Sequence, residues 1–151
     1  MITDTHTHLY LEQFDKDRNQ MIERAKKQGV SRFFIPAINS SYMDRMLTLE
    51  NNFPNDVFLM IGLHPSYVKN NFVKELNFVK KWLDKRNFCA IGEIGIDLYW
   101  DRSFLKQQQQ AFTSQIRWAK QRKMPVVIHC RDAFDEVFEV LEHEKSKDLF
   151  G

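Results

Sequence analysis

The sequence has little of what marks secreted, membrane-spanning or linker-rich chains. Its 151 residues include two cysteines, Cys89 and Cys130, which make no recognisable disulfide framework, so we expect a reducing, cytoplasmic setting. No apolar run approaches the roughly 18 residues of a membrane span, and the N-terminus is polar from Thr3 onward, so we expect neither a membrane segment nor a secretory signal. Five glycines and four prolines leave no linker or low-complexity tract.

An excess of charge of either sign is also lacking. Lys and Arg number 22 against 20 Asp and Glu, which gives a net charge of +2. Such a weakly basic balance does not by itself indicate a nucleic-acid partner. Hydrophobic residues make up 43% of the chain and Phe occurs 13 times, so we expect one globular domain with a Phe-rich core.

Apolar runs typical of strands alternate with amphipathic helical patterns along the chain. The predicted strands are 1–9, 30–36, 56–63, 88–94 and 125–130. The predicted helices are 17–28, 41–51, a segment around 72–83, 105–123 and a last helix capped by Asp132. Residues 148–151 resemble the start of a sixth strand.

Strands separated by helices form parallel sheets, so the five strand-helix units predict an α/β fold. A (β/α)8 barrel and an open doubly wound sheet both fit this pattern. The barrel typically needs about 250 residues, more than this chain has. No G-x-G-x-x-G follows the first strand, which removes the usual signature of a dinucleotide-binding sheet.

The first strand carries polar residues at every second position. Side chains alternate between the two faces of a strand, so Asp4, His6 and His8 lie on one face. Two imidazoles and a carboxylate are costly to bury without partners, and a divalent cation would offset that cost. The pattern therefore indicates part of a metal site.

The other polar residues of interest lie at the carboxyl ends of predicted strands, where parallel α/β folds build their active sites. By alternation, Glu93 in the fourth strand and His129 in the fifth converge with His6 and His8 if these faces point into a barrel. A carboxylate that bridges two cations among imidazoles is typical of a binuclear hydrolytic site. His64 follows the third strand.

Each of these residues also has a purely structural interpretation. His129 and His64 can be hydrogen-bonded residues that shape strand ends and turns, and Glu93 can pair with an arginine. Arg131 and Asp132 can form a surface ion pair. Tyr99 and Trp100 are either ordinary loop aromatics or a stacking platform at the mouth of the site. Residues 107–110 are interpreted as a solvated helix face.

Four segments in this order resemble the motifs of TatD-type deoxyribonucleases, which are amidohydrolase-like metal-dependent hydrolases. They are DTHTHL at 4–9, GLHP at 62–65, AIGEIGID at 90–97 and VIHCRDA at 127–133. The resemblance covers the chain from Ile2 onward. It implies a TIM barrel and the hydrolysis of DNA phosphodiester bonds, often as a 3′ to 5′ exonuclease, with two divalent cations (Mg, Zn or Mn).

The resemblance also assigns roles to individual residues. His6 and His8 would hold one metal, Glu93 would bridge two, and His129 would hold the second. His64 and Arg131 match positions near the scissile phosphate, so Glu93, His64 and Arg131 are the candidate catalytic residues. The candidate substrate-binding residues are His64, Tyr99 and Arg131. Asp4 would orient an imidazole as an outer partner of the metal site.

The sequence departs from the family pattern in one large respect. The family continues with a sixth strand that carries another metal-binding His and, near the eighth strand, an Asp that contacts metal. We therefore interpret 1–151 as the N-terminal five units of one barrel domain, whose partners would be the remaining barrel, or a second copy, and DNA as substrate. Two other hypotheses stay open: an amidohydrolase acting on a small amide or ester, which a strand-end lysine would favour, and an inactive fragment.

Overall fold

The computed structural model describes all residues from 1 to 151 and shows five parallel strands, each followed by a helix. The strands are β1 (Ile2–Asp4), β2 (Val30–Ile35), β3 (Val57–Leu59), β4 (Ile91–Asp97) and β5 (Val126–Arg131). The helices are α1 (Arg18–Lys27), α2 (Met43–Asn52), α3 (Phe72–Lys85), α4 (Leu105–Arg122) and α5 (Phe134–Glu144). Three short 3₁₀ turns, Glu12–Phe14, Ser40–Tyr42 and Pro65–Tyr67, lie in the loops after β1, β2 and β3.

The strand order in space follows the chain. Strands β1, β2 and β3 form one parallel sheet, and β4 pairs with β5 in a second. A parallel bridge between Ile61 and Ile91 joins the two sheets, because the Ile61 N–H donates to the Ala90 carbonyl and the Gly92 N–H donates to the Ile61 carbonyl. The five strands therefore follow one another as neighbours, and all five carboxyl ends lie on the same side.

The core is aliphatic, which corrects the expectation of a Phe-rich interior. Only three of the 13 phenylalanines are buried, Phe33, Phe88 and Phe112. Every residue of β4 is buried, and isoleucines supply its bulk, as expected for a strand covered on both faces. The buried face of α4 confirms the helical periodicity and includes Ala111, Phe112, Ile116 and Ala119. On α5 the pattern predicts Phe134 and Phe138 in the buried stripe, and both are exposed.

Several predicted boundaries are wrong near the site. Strand β1 ends at Asp4, so His6 and His8 lie beyond it, although the Thr7 N–H still donates to the Phe34 carbonyl. Asp132 does not cap α5: Ala133 holds that position, and Asp132 precedes it with a φ of 51°. Short Asp side chains tolerate this left-handed conformation, which here turns the chain from β5 into α5.

No strand is present at 148–151, where the sequence predicts the start of a sixth. The carbonyl of Phe150 nevertheless accepts a hydrogen bond of 2.9 Å from Val126 N–H, so this segment lies against the free side of β5. None of the helices combines the length and the apolar character that crossing a membrane requires.

Candidate metal centre

The Glu93 carboxylate lies at the centre of four imidazole rings. His6 Nε2 is 3.0 Å and His8 Nε2 is 3.5 Å from Glu93 Oε2. On the other oxygen, His129 Nδ1 is 2.9 Å and His64 Nε2 is 3.7 Å from Oε1. The structure therefore brings together residues from β4, β5 and the loops after β1 and β3, and includes all four predicted metal ligands.

This donor set fits divalent cations. The ligand atoms of His6, His8 and Glu93 lie within 4.8 Å of one another, and so do those of His64, Glu93 and His129. Imidazole nitrogen and carboxylate oxygen suit Zn²⁺-like ions, and two clusters that share one carboxylate suit a bridged pair. The side chain of His6 is 39% exposed, so a ligand can reach the centre from solvent on that side.

Tyr10 fixes the tautomer of His8. The sequence did not lead us to include Tyr10 in the site. The Tyr10 hydroxyl donates to the Pro36 carbonyl at 2.9 Å and therefore accepts at 3.0 Å from His8 Nδ1–H. The proton on Nδ1 leaves the Nε2 lone pair of neutral His8 free to bind a cation. The signal was present in the sequence, because Tyr10 continues the two-residue spacing of Asp4, His6 and His8.

Asp97 orients His129 and is the second residue that the sequence analysis missed as a site residue. Its Oδ2 lies 2.9 Å from His129 Nε2 and also accepts a hydrogen bond from the Ser66 hydroxyl. Its Oδ1 accepts a hydrogen bond from the Tyr99 N–H. A carboxylate on the far ring nitrogen holds the ring and raises its basicity. The four-residue spacing of Glu93 and Asp97 in one strand, which puts both on the same face, could have indicated it.

His64 is held differently from the other histidines. Its Nδ1 accepts a hydrogen bond of 3.1 Å from Ser66 N–H, so the neutral ring carries its proton on Nε2. Burial lowers the pKa of His64 to about 4, which keeps the ring neutral near neutral pH. A neutral ring with N–H on Nε2 donates into the site, so within the second cluster Glu93 and His129 are the residues that offer lone pairs to a cation.

The electrostatics of the centre favour an ionised Glu93. Burial would raise the pKa of this carboxyl, but the hydrogen bonds from His129 and His6 outweigh it and hold the pKa well below its usual range. In return, hydrogen bonding to Glu93 raises the pKa of His6. Burial lowers the pKa of His129, but Glu93 and Asp97 outweigh it and the pKa ends above its ordinary value.

The remaining predicted residues lie at the edge of the centre. Asp4 Oδ1 accepts a hydrogen bond of 3.2 Å from the backbone N–H of His6, not from an imidazole, so its contact is with the chain that carries the ring. Arg131 is exposed, and its guanidinium lies 3.8 Å from the centre of the Tyr99 ring. Tyr99 therefore holds the cation of Arg131 by stacking.

Helix α4 supports the strand ends with two buried glutamines, which corrects the interpretation of 107–110 as a solvated face. Gln108 Oε1 accepts from Asp97 N–H at 2.8 Å, and its Nε2 donates to the Asp97 carbonyl at 3.0 Å. Gln115 bonds both backbone groups of Leu63, next to His64, in the same way. Each glutamine side chain thus pairs with a backbone N–H and carbonyl at a strand end, as the backbone of a neighbouring strand would.

Gly95 allows β4 and β5 to approach each other between Glu93 and Asp97. Its φ is 141°, and a Cβ built there would lie 2.0 Å from the His129 carbonyl oxygen. No other residue fits this position without moving the strand that carries His129.

A family model described as TatD-related DNase matches residues 3–151. The chain belongs to the TatD-related DNase family. The match includes every residue of the centre, and it confirms the family that the four sequence motifs indicate.

Relatives and solved structures agree with this membership. The metal-dependent hydrolase YabD of Bacillus subtilis is 32% identical over 151 residues, which are all of this chain and 59% of that protein. The 3′-5′ ssDNA/RNA exonuclease TatD of Erwinia billingiae is 32% identical over 91% of this chain and 53% of its own length. The chain thus spans between half and three fifths of these curated relatives.

The crystal structure of YjjV, a TatD homologue from Escherichia coli, superposes with a TM-score of 0.86 at 29% identity, covering 95% of this chain and 56% of that one. A TatD-family hydrolase from Entamoeba histolytica, at 19% identity, gives a TM-score of 0.75 and shows the same fold. These superpositions confirm the barrel prediction: the five units form part of a (β/α)8 barrel, and the open-sheet alternative is wrong.

Proposed function

We propose that this TatD-family chain takes part in divalent-metal-dependent hydrolysis of DNA phosphodiester bonds, as an exonuclease. The observation that carries the proposal is the position of Glu93, whose two carboxylate oxygens each face a different pair of imidazoles. The exonuclease name of the relative from Erwinia billingiae supports the substrate class.

The proposed metal ligands are His6, His8, Glu93 and His129, which would hold two cations (Mg, Zn or Mn), with Glu93 common to both. When bound, such cations supply a nucleophilic water of lowered pKa and neutralise charge on the phosphoryl oxygens. Tyr10 and Asp97 hold the rings of His8 and His129 so that one nitrogen of each faces the centre. The name of the Bacillus subtilis relative, a metal-dependent hydrolase, supports the requirement for metal.

Two side chains are proposed to act on the phosphate directly. His64 donates a hydrogen bond from its Nε2–H to a phosphoryl oxygen or to the leaving oxygen, a role that its acceptor bond on Nδ1 supports. Arg131 supplies a permanent positive charge for a non-bridging phosphate oxygen. Because its side chain is already stacked on Tyr99, it loses less conformational entropy when it binds the phosphate. Asp4 braces the loop that carries His6.

We further propose that 1–151 belongs to a single barrel domain as its N-terminal part. The backbone hydrogen bonds between β3 and β4 support one continuous layer of strands rather than two domains. The proposed partners are the remaining units of the barrel, or a second copy, which would cover the free sides of β1 and β5. The cytoplasmic setting stays a prediction; the two free cysteines agree with it.

Hydrolysis of a small amide or ester remains the rival function. A strand-end lysine, which would favour it, is not in contact with Glu93, whose ion pairs are all with histidines. A side-by-side assay on single-stranded DNA and on cyclic amides separates the two functions. Faster turnover of the amides would replace the proposal with its rival.

Replacing Glu93 with glutamine tests the proposal. Glu93→Gln keeps the volume but removes the charge between the two imidazole pairs. We expect metal-dependent release of nucleotides from single-stranded DNA to fall by about 10³-fold. The measurement is nucleotide release with added Mg²⁺, Mn²⁺ or Zn²⁺, with circular dichroism to show that the fold persists.

The matched control is Glu142→Gln in the last turn of α5, which makes the same chemical change on an exposed residue at the end of the helix away from β5. We expect this variant to release nucleotides at the wild-type rate. Unchanged cleavage by Glu93→Gln would refute the proposed centre, and so would cleavage that persists in a metal chelator.

A further inference from the structure

The loop after β1 is held by two arginines that come from different helices. Arg18, at the start of α1, donates from Nε to the Leu9 carbonyl at 2.5 Å and from Nη2 to the Leu11 carbonyl at 2.9 Å. Arg45 of α2 donates from Nε to the Tyr10 carbonyl at 2.7 Å, and Arg18 Nη2 reaches the same oxygen at 3.2 Å. Three successive carbonyls of this loop therefore have guanidinium partners in place of a strand ladder.

Asp15 joins the two arginines to each other. Its Oδ1 accepts from Arg18 Nη2 at 2.5 Å and also from Arg45 Nη2. Both arginines are half-buried, and each uses its fork of N–H groups for a backbone carbonyl and a carboxylate at once. We call Asp15, Arg18 and Arg45 the arginine clamp.

Tyr10 connects the arginine clamp to the metal centre. Its side chain is fully buried, and its hydroxyl lies between the Pro36 carbonyl and His8 Nδ1. The Leu11 N–H donates to the His8 carbonyl at 3.0 Å, so one short turn carries both Tyr10 and His8. The polar contacts of the His8 ring are with the Tyr10 hydroxyl and with Glu93. The orientation of the ring therefore depends on where the Tyr10 backbone is held.

We propose that the arginine clamp positions His8 for metal binding, by fixing the Tyr10 backbone whose hydroxyl holds the His8 ring. The clamp residues are positioning residues, because their polar contacts are with the loop and not with the metal ligands. The inference rests on the proposed function, in which His8 is a metal ligand. It extends the groups that determine metal affinity outwards to α1 and α2.

Two clamp variants with opposite changes of charge separate positioning from electrostatics. By charge alone, Arg45→Met would strengthen the binding of a cation and Asp15→Ala would weaken it. We expect both variants to weaken Zn²⁺ binding in calorimetric titrations. Losing an outer partner of a ligand ring costs about 10–100-fold in affinity. Arg18 still reaches the Tyr10 carbonyl, so we expect a loss of about 10-fold for Arg45→Met and roughly 3-fold for Asp15→Ala.

Arg24 and Asp17 supply matched controls. They form another arginine–aspartate pair at α1, with 3.3 Å between Arg24 Nη2 and Asp17 Oδ2, and neither side chain bonds the loop after β1. Arg24→Met and Asp17→Ala should keep the wild-type affinity for Zn²⁺. Tighter or unchanged Zn²⁺ binding by Arg45→Met would overturn the inference.

The variant Tyr10→Phe shows whether the effect passes through the Tyr10 hydroxyl. It keeps the buried ring but removes the oxygen that holds His8. In this background, adding Arg45→Met should change Zn²⁺ affinity by less than about 2-fold, because changes that act through one contact are not additive. Losses that multiply would show that Arg45 does not act through this hydroxyl, and the inference would be wrong.

Nitrogen NMR of protein with ¹⁵N-labelled histidine examines the His8 ring without metal. At alkaline pH we expect wild-type His8 to carry its proton on Nδ1, and Arg45→Met to show a mixture of both tautomers, with Nε2–H turned to Glu93. Circular dichroism shows that the fold persists. Asp15 is exposed, so Asp15→Ala gives the same test if Arg45→Met does not fold. A pure Nδ1 tautomer in the clamp variants would contradict the inference.

The inference and the proposed function can fail separately. If metal-dependent cleavage of DNA is present but the clamp variants bind Zn²⁺ as wild type does, the clamp is wrong and the nuclease stands. If the clamp variants lose Zn²⁺ affinity and change the His8 tautomer but no metal supports cleavage by wild type, the nuclease proposal is wrong and the clamp stands.

Discussion

At the scale of single residues, the pairing of Asp97 with His129 makes a prediction about metal affinity. Asp97→Asn keeps the shape but weakens the contact that holds His129 Nε2 at 2.9 Å. We expect the affinity for Zn²⁺ or Mn²⁺ to fall about 10–100-fold, because outer carboxylates set the orientation and basicity of a ligand ring. Calorimetric titration measures it, and Asp135→Asn on the exposed start of α5 should change nothing.

Equal affinities in Asp97→Asn and wild type would mean that His129 needs no such partner. The same result would argue that His129 is the hydrogen-bonded structural residue that its sequence position also allows.

Glu144 makes a prediction about pH and stability. This carboxyl is 7% exposed at the end of α5 and accepts from Arg117 and Lys120 of α4. The hydrogen bond from Arg117 is the largest cause of its lowered pKa. A lowered folded-state pKa stabilises the fold above the unfolded value of about 4.3, and the gain is lost as pH falls through the folded pKa.

We therefore expect Glu144→Gln to lower the free energy of unfolding by about 1.5–3 kcal/mol at neutral pH. The difference from wild type should shrink as the solution is acidified below the unfolded pKa. Urea unfolding at several pH values measures both effects. Exposed Glu139→Gln is the control, and a pH-independent difference would show that packing, not charge, is lost.

Single residues show where sequence reasoning succeeds and fails. The two-residue spacing of the sequence predicted that Glu93 and His129 converge with His6 and His8, because side-chain alternation is a local property of strands. The grouping is as predicted, although His6 and His8 lie beyond β1, where alternation does not apply. Asp97, Tyr10 and Gln108 were missed as site or supporting residues. Asp97 contacts His129 of β5, Tyr10 contacts the Pro36 carbonyl and Gln108 of α4 contacts Asp97 of β4, so each of these contacts joins separate parts of the chain.

At the scale of secondary structure, α4 determines where the strand ends lie. Gln108 bonds the backbone of Asp97, and Gln115 bonds the backbone of Leu63. In Gln108→Ala the buried N–H and carbonyl of Asp97 lose their partners. We expect a loss of about 1–3 kcal/mol in the free energy of unfolding.

The same helix supplies the control for this prediction. Gln110 is exposed and belongs to the same run of glutamines, so Gln110→Ala should stay within about 0.5 kcal/mol of wild type. Denaturant midpoints compare the two variants. Equal stabilities would show that water replaces the Gln108 amide at no cost.

Element boundaries were the weakest part of the sequence reasoning. The apolar and polar alternation of 1–9 predicts one long strand, whereas pairing with β2 ends at Asp4 and the chain then bends to place His6 and His8. The predicted helix 41–51 begins instead at Met43 as α2, without a side-chain cap, and Asn39 caps the 3₁₀ turn that precedes it by accepting from Ser41 N–H. Both deviations lie in loops beside the centre, where site geometry overrides local preference.

At the scale of the whole molecule, the order of strands and helices was predictable and the closure of the layer was not. Five alternating units predict parallel strands whatever their final curvature. The choice between barrel and open sheet depends on the β3–β4 junction, which here is a single bridge, Ile61 with Ile91. Such a long-range contact leaves no periodicity in the sequence, so the family motifs were needed to choose the barrel.

The stacking of Arg131 on Tyr99 has a consequence for ionic strength. With a net charge of only +2, the molecule offers little long-range attraction to a polyanion, so attraction must come from local cations. Arg131 is exposed with an aromatic partner, and it keeps its charge available. Each phosphate that a cation neutralises on a single strand steepens the logarithmic salt dependence of binding by about 0.7.

We expect Arg131→Gln to flatten that slope by about this amount for single-stranded DNA. Arg32→Gln, an equal loss of charge on β2, should lower affinity slightly and leave the slope as it is. Binding titrations over a range of salt concentrations give both slopes, and parallel lines for wild type and Arg131→Gln would contradict the expectation. If the slope flattens as expected, the affinity for nucleic acid depends more on the counterions that Arg131 displaces from the strand than on the net charge of the protein.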